Sequence, residues 1–233
     1  MAILTAEEWA IVGLSLKVSS VAIAVVLPLA FGMAWLLERT RMPGKIVLDA
    51  VVHLPLVLPP VVTGWVLLLL FGGYGPIGRF LFETLGITLM FRWTGAALAA
   101  AVMALPLMVR AIRLSLAGID RRLEVASRTL GAGPLRTFSL VTFPLAMPGL
   151  MAAIVLGFAR SIGEFGATIT FVSNVPGETR TLPLAIYTAL QVPGGEAAVT
   201  RLAVVSVTLS LLALVASESL SRAGRRGRHD HVL

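Results

Sequence analysis

Five apolar runs divide the chain, each bounded by charged or turn-forming residues. The first, residues 18–37, carries no charge, and the second reaches from about residue 46 to residue 71. The others begin near Trp93, Val141 and Leu202. None shows the strict two-residue alternation of a barrel strand. A bilayer core about 30 Å thick is crossed by about 20 helical residues, and a helix satisfies its own backbone in lipid. The pattern predicts an all-α integral membrane protein, one transmembrane domain over 1–233, with about five transmembrane helices. They fall near residues 18–37, 46–71, 93–112, 141–163 and 200–219, with a polar loop over about 113–140.

Composition agrees. Of 233 residues, 57% are hydrophobic and 13% charged, against about 25% charged in soluble domains. A net charge of +7 would suit nucleic acid in a soluble protein. Here the basic residues sit between apolar runs, so membrane lipid is the expected partner and nucleic acid is not. Arg39, Arg41, Lys45, Arg110, Arg113, Arg121, Arg122, Arg128, Arg136, Arg222, Arg225, Arg226 and Arg228 fall on one side of five spans, and Arg79, Arg92, Arg180 and Arg201 on the other. Thirteen against four places the N-terminus outside and the C-terminus in the cytoplasm. Glu7 and Glu8 precede the first run and basic residues follow it, the reverse of a cleavable signal peptide. The basic tail from Arg222 reads as a frayed topology anchor on anionic lipid. There is no cysteine, and His53, His229 and His231 form no ligand cluster, so no metal or cofactor is expected on this chain. It also lacks a phosphate loop for ATP.

Within the runs, Pro59 and Pro60 make the strongest helix break, a feature suited to lining a pathway and also common in membrane helices generally. Arg160 and Glu164 stand four apart at the end of the fourth span. They suit either the mouth of an ion pathway or a lock between helices, since charges at membrane depth pair or face water. Asp49 and His53, also four apart, read as an interfacial cap rather than a proton relay. The external stretch 173–195, rich in Pro and Gly, reads as a loop with one short helix over about 184–190.

The loop between the third and fourth spans is the most informative. Leu116, Ile119, Leu123, Ala126 and Leu130 recur three and four apart and predict one apolar helix stripe, opposite Arg121, Arg122, Glu124 and Arg128. Asp120 suits the N-cap, Gly131 the left-handed C-terminal position, and Gly133-Pro134 the stop. Such a helix fits the lipid surface or a groove in a soluble partner.

Glu124-Val125-Ala126, Gly131 and Val141-Thr142-Phe143-Pro144 stand at the spacing of the Glu-Ala-Ala, Gly, Ile-x-Leu-Pro motif of ABC importer permeases. Val125, Val141 and Phe143 are conservative departures from it. Residues 53–60, 105–113, 164–174 and Pro176-Gly177-Glu178-Thr179-Arg180-Thr181-Leu182-Pro183 resemble the molybdate permeases. Gly163-Glu164-Phe165-Gly166-Ala167 is similar to sulfate/thiosulfate permeases as well, which makes a sulfate permease the alternative. A secondary oxyanion carrier is disfavoured by the loop motif and by the lack of paired intramembrane acids. The resemblance implies a type I ABC importer permease (MetI-like) architecture in the bacterial inner membrane. It implies a homodimer with two cytoplasmic ATPase subunits, which carry the ATP-Mg, and one periplasmic or extracellular molybdate-binding protein. The loop helix would then couple to the ATPase through Asp120, Glu124, Ala126, Arg128, Leu130 and Gly131. The pathway candidates are Pro59, Pro60, Thr63, Arg160, Ser161, Glu164, Thr168 and Thr170, with no catalytic or metal residue.

Overall fold

The computed structural model describes residues 4–40 and 42–229, with side chains after residue 212 described only at Val215. Arg41 and residues 230–233, including His231, lie outside the described residues. Among the described residues the chain is helical, without strands.

Helix α1 spans Ala6–Arg39. It begins well before the expected span because of a capping box: Glu8 N–H donates to Thr5 Oγ1 at 3.2 Å, and Thr5 N–H to Glu8 Oε2 at 2.7 Å. Its 34 residues reach about 50 Å, more than the bilayer core needs. The expected second span is two helices, α2 (Lys45–Val57) and α3 (Pro60–Phe71), bent by 117° at the Leu58-Pro59 step. Pro59 and Pro60 cannot donate backbone hydrogen bonds, so the ladder stops there. Next come α4 (Pro76–Leu85), not foreseen from the pattern, and α5 (Trp93–Ala117).

α5 is the central helix. Ala96, Ala99, Ala100 and Ala104 are buried on it, and small residues let neighbouring helices approach closely in lipid. Its larger buried residues Met108, Ile112 and Leu116 join Ile23 and Leu37 of α1 in the main core. The short helix α6 (Arg121–Thr129) follows. Then α7 (Pro134–Thr137), one π-helical turn (Phe138–Thr142) and α8 (Phe143–Ile162) run as one continuous helix. The last three are α9 (Gly166–Val172), α10 (Leu182–Leu190) and α11 (Glu196–His229). The basic tail expected to fray is helical as far as His229, continuing α11.

Among the described residues three stretches, α1, α5 and Pro134–Ile162, are long and apolar enough to cross a membrane, and the bent α2–α3 pair counts as a fourth where it is one broken span rather than a re-entrant loop. The expected fifth lies in α11.

Two polar ties close the bundle at the end opposite α6. Arg201 of α11 grips the Glu8 carboxylate through Nε (3.0 and 3.2 Å) and Nη2 (2.7 Å). The buried Ser15 hydroxyl accepts from Leu182 N–H at 2.7 Å, fixing the start of α10 to α1.

Candidate functional site: an ion-pair node beneath a surface helix

Helix α6 carries the residues singled out by spacing. Asp120 caps it, its carboxylate accepting from Arg122 N–H at 2.9 Å. Gly131 follows with φ +87°, the left-handed geometry that ends helices, and Pro134 opens α7. The expected apolar stripe is divided, however. Gly118 ends α5, so Leu116 and Ile119 are buried in the main core while Leu123 and Leu130 stand in the open, Leu130 at 89% exposure. Ala126 and Arg128 are exposed too. No residue of α6 is buried, which leaves an outward surface of Leu123, Val125, Arg128 and Leu130.

What ties α6 down is polar. Glu124 points inward and meets Arg39, the last residue of α1, with Arg39 Nη2 3.2 Å from Glu124 Oε1. The same Oε1 accepts from Thr142 Oγ1 in the π turn at 2.8 Å. Ser127 and Thr137 hydroxyls lie 3.2 Å apart. A cleft of about 390 Å³ opens beside this node, lined by Trp35, Arg39, Arg121, Arg128 and Phe138 among others. The π turn lets Phe138 pack edge-on against Trp35, with ring centroids 5.3 Å apart.

Asp49 and His53 stand at the same end. Asp49 does not cap α2, whose start at Gly44 has no side-chain cap. It accepts instead from Arg113 Nη1 of α5 at 2.5 Å, and Arg113 also lies 3.7 Å from Glu38. His53 Nδ1 sits 2.8 Å from the Asp49 carbonyl oxygen. Asp49 thus belongs to a clamp joining α1, α2 and α5 through Arg113, with His53 packed against Asp49 within α2.

The pathway candidates gather around the bend and the α8–α9 turn. The helix does not continue through Glu164, since α8 ends at Ile162, yet the ion pair forms across the turn. Arg160 Nη1 lies 2.6 Å from Glu164 Oε2, and the Glu164 side chain is 2% exposed. Glu164 Oε1 accepts from Ala167 N–H at 2.8 Å, so one carboxylate neutralises Arg160 and takes up a free amide in the first turn of α9. α9 rests on α3, where Gly64 faces Ala167 and Thr170, and Pro60 faces Gly166. Among the described residues, the buried hydroxyls of Thr63 and Ser161 find no hydrogen-bond partner. Thr168 is buried, while Thr170 spends its hydroxyl on the Gly166 carbonyl at 2.9 Å. Pro60 and Thr170 therefore lie at the α3–α9 packing, with Pro59 and Thr63 at the start of α3, Thr168 buried on α9, and Arg160, Ser161 and Glu164 at the end of α8 and the turn after it.

The stretch 173–195 is stitched to itself. Thr179, fully buried, accepts from Val175 N–H at 2.7 Å and donates to the Ser173 carbonyl at 2.8 Å. Its helix is α10, two residues longer at its start than expected. Among the described residues no group of three or more His, Asp or Glu could hold a metal ion.

Residues 27–226 match the family described as binding-protein-dependent transport system inner membrane component. The chain is 58% identical to the molybdenum transport system permease protein ModB of Escherichia coli, over 96% of this chain and 97% of that one. It is 52% identical to ModB of Haemophilus influenzae, over 92% and 94%. A crystal structure of a bacterial alginate ABC transporter, in complex with an alginate pentasaccharide-bound periplasmic protein, has the same fold. Its TM-score is 0.70 at 15% identity, covering 95% of this chain and 80% of that chain.

Proposed function

This chain belongs to the binding-protein-dependent transport system inner membrane components, and from that premise we propose that it is the membrane-spanning permease of an ATP-driven importer of molybdate. The observation that carries the substrate is the 58% identity, over nearly the whole length of both chains, to a molybdenum permease. Two copies pair in the inner membrane, with N-termini outside and C-termini in the cytoplasm. Two cytoplasmic ATPase subunits hold the ATP-Mg, and an external binding protein delivers the oxyanion to the side bearing 173–195. The alginate transporter's complex with a periplasmic protein supports that last partnership.

α6 is the coupling helix. Its outward face of Leu123, Val125, Arg128 and Leu130 seats in the ATPase, and closure of the ATPase pair on ATP moves it, switching the spans between two access states. The geometry of the bend suits conduction. A site that conducts must also release its ion, and Glu164 neutralises Arg160, so no unpaired guanidinium there traps an anion. The hydroxyls of Thr63 and Ser161 are buried and unpaired among the described residues, and an access state that uncovers them would present weak donors to a passing oxyanion.

The test is uptake of labelled molybdate at nanomolar concentration by cells with and without the gene, with excess sulfate or tungstate as competitor. Gene-dependent uptake that resists sulfate is expected, and tungstate competition would extend the substrate to both oxyanions. Equal competition by sulfate would keep the permease and remove the anion named here.

A further inference from the structure

Arg39 stands outside the α6 motif, 85 residues upstream of Glu124, yet it pairs with the carboxylate by which α6 reaches the end of α1. Its side chain is 8% exposed and that of Glu124 17%, so the pair is sheltered from the screening that weakens surface ion pairs. Arg39 Nη2 also donates to the Leu116 carbonyl at 3.1 Å, in the last turn of α5, the end of a helix that favours a cation. Glu124 in turn takes the Thr142 hydroxyl at 2.8 Å. One guanidinium and one carboxylate thereby join α6 to the end of α1, the end of α5 and the π turn that leads into α8.

A nine-residue helix that buries nothing is marginal by itself. Pushed by a partner, it would swing on its flanking loops unless something stiff connected it to the membrane helices. We infer that Arg39 is a positioning residue that locks α6 to α1, α5 and α8, so that displacement of α6 moves all three together. This rests on α6 being the helix the ATPase moves. Arg39 touches neither transported ion nor nucleotide in this role, and its loss uncouples ATP hydrolysis from import.

The experiment uses the full complex with its ATPase and binding protein in proteoliposomes, reading labelled molybdate imported per ATP hydrolysed. In Arg39→Gln the ATPase still co-purifies and still hydrolyses ATP, while import per ATP falls about tenfold, a typical coupling magnitude. Arg39→Lys, which keeps the charge, restores much of the ratio. A merely structural role would lower hydrolysis and import together and leave the ratio unchanged, and that result at equal membrane abundance overturns the inference. Should Arg39→Gln fail to accumulate, Thr142→Val reads the same node from its other side. An expected fall of about threefold supports the lock, and an unchanged ratio overturns it. Leu130→Asp separates this inference from the coupling-helix reading. If it leaves the ATPase bound, α6 is not the ATPase contact. If it strips the ATPase while Arg39→Gln imports at the normal ratio, α6 is the contact and Arg39 is not its lock.

Discussion

Gly64 of α3 and Ala167 of α9 meet backbone to backbone: a Cβ built on Gly64 would lie 2.6 Å from the Ala167 carbonyl oxygen and 2.8 Å from Thr170 Cβ. This contact seats α3 after its 117° turn. Overpacking a tight site costs about 1–3 kcal/mol, so Gly64→Ala is expected to lower the thermal midpoint of the purified protein. Gly13→Ala, with nothing within 4 Å of the added methyl, should be neutral or slightly stabilising, because alanine is the better helix former. Equal midpoints for the two variants would show that the α3–α9 contact yields freely.

The Arg160–Glu164 pair makes an opposite kind of prediction, in which removing two groups costs less than removing one. Arg160→Met leaves a carboxylate that is 2% exposed without its cation, and an orphaned buried charge costs about 3–5 kcal/mol. Adding Glu164→Gln removes that charge, while the amide oxygen can still accept from Ala167 N–H. The double variant should therefore unfold at a higher temperature than Arg160→Met alone. If it unfolds lower, Glu164 is stabilised by something other than Arg160.

α6 is readable from sequence because its ends are set by local chemistry. An Asp cap and a left-handed Gly act within a turn of themselves. Arg39 is not readable, since nothing near it in sequence points to Glu124. The stripe through Leu116, Ile119 and Leu123 keeps its period across Gly118, and period cannot separate two helices that happen to stay in register. The early start of α1 had a signal, the Thr5-x-x-Glu8 box, but Glu7, Glu8 and Lys17 dilute the hydropathy there. Arg160 and Glu164 are legible as partners four apart. The turn between them is not, because Gly163 is tolerated within helices.

α2 buries only Val52, so its position depends on the Arg113 clamp to Asp49 and Glu38. Arg113→Met should loosen it. The chain has no cysteine, so a single thiol introduced at Ile46, which is 85% exposed, gives a clean spin-label site. The label's spectrum should sharpen toward faster nanosecond motion in Arg113→Met. An unchanged spectrum would mean that packing on α5, not the clamp, holds α2.

Gly131 and Gly133 offer a comparison in which only the backbone differs. A methyl at either meets nothing within 4 Å, but Gly131 has φ +87° whereas Gly133 has φ −67°. A left-handed conformation costs an L-residue about 1–2 kcal/mol. Gly131→Ala should therefore weaken amide-exchange protection across α6 by roughly five- to thirtyfold if α6 opens as a unit, and Gly133→Ala should not. Relief of the strain by reshaping the turn into α7 would shift α6 against the Arg39–Glu124 node. Import should then decline with the loss of protection. If protection falls while import per ATP holds, the turn is needed to form α6 and not to transmit its motion.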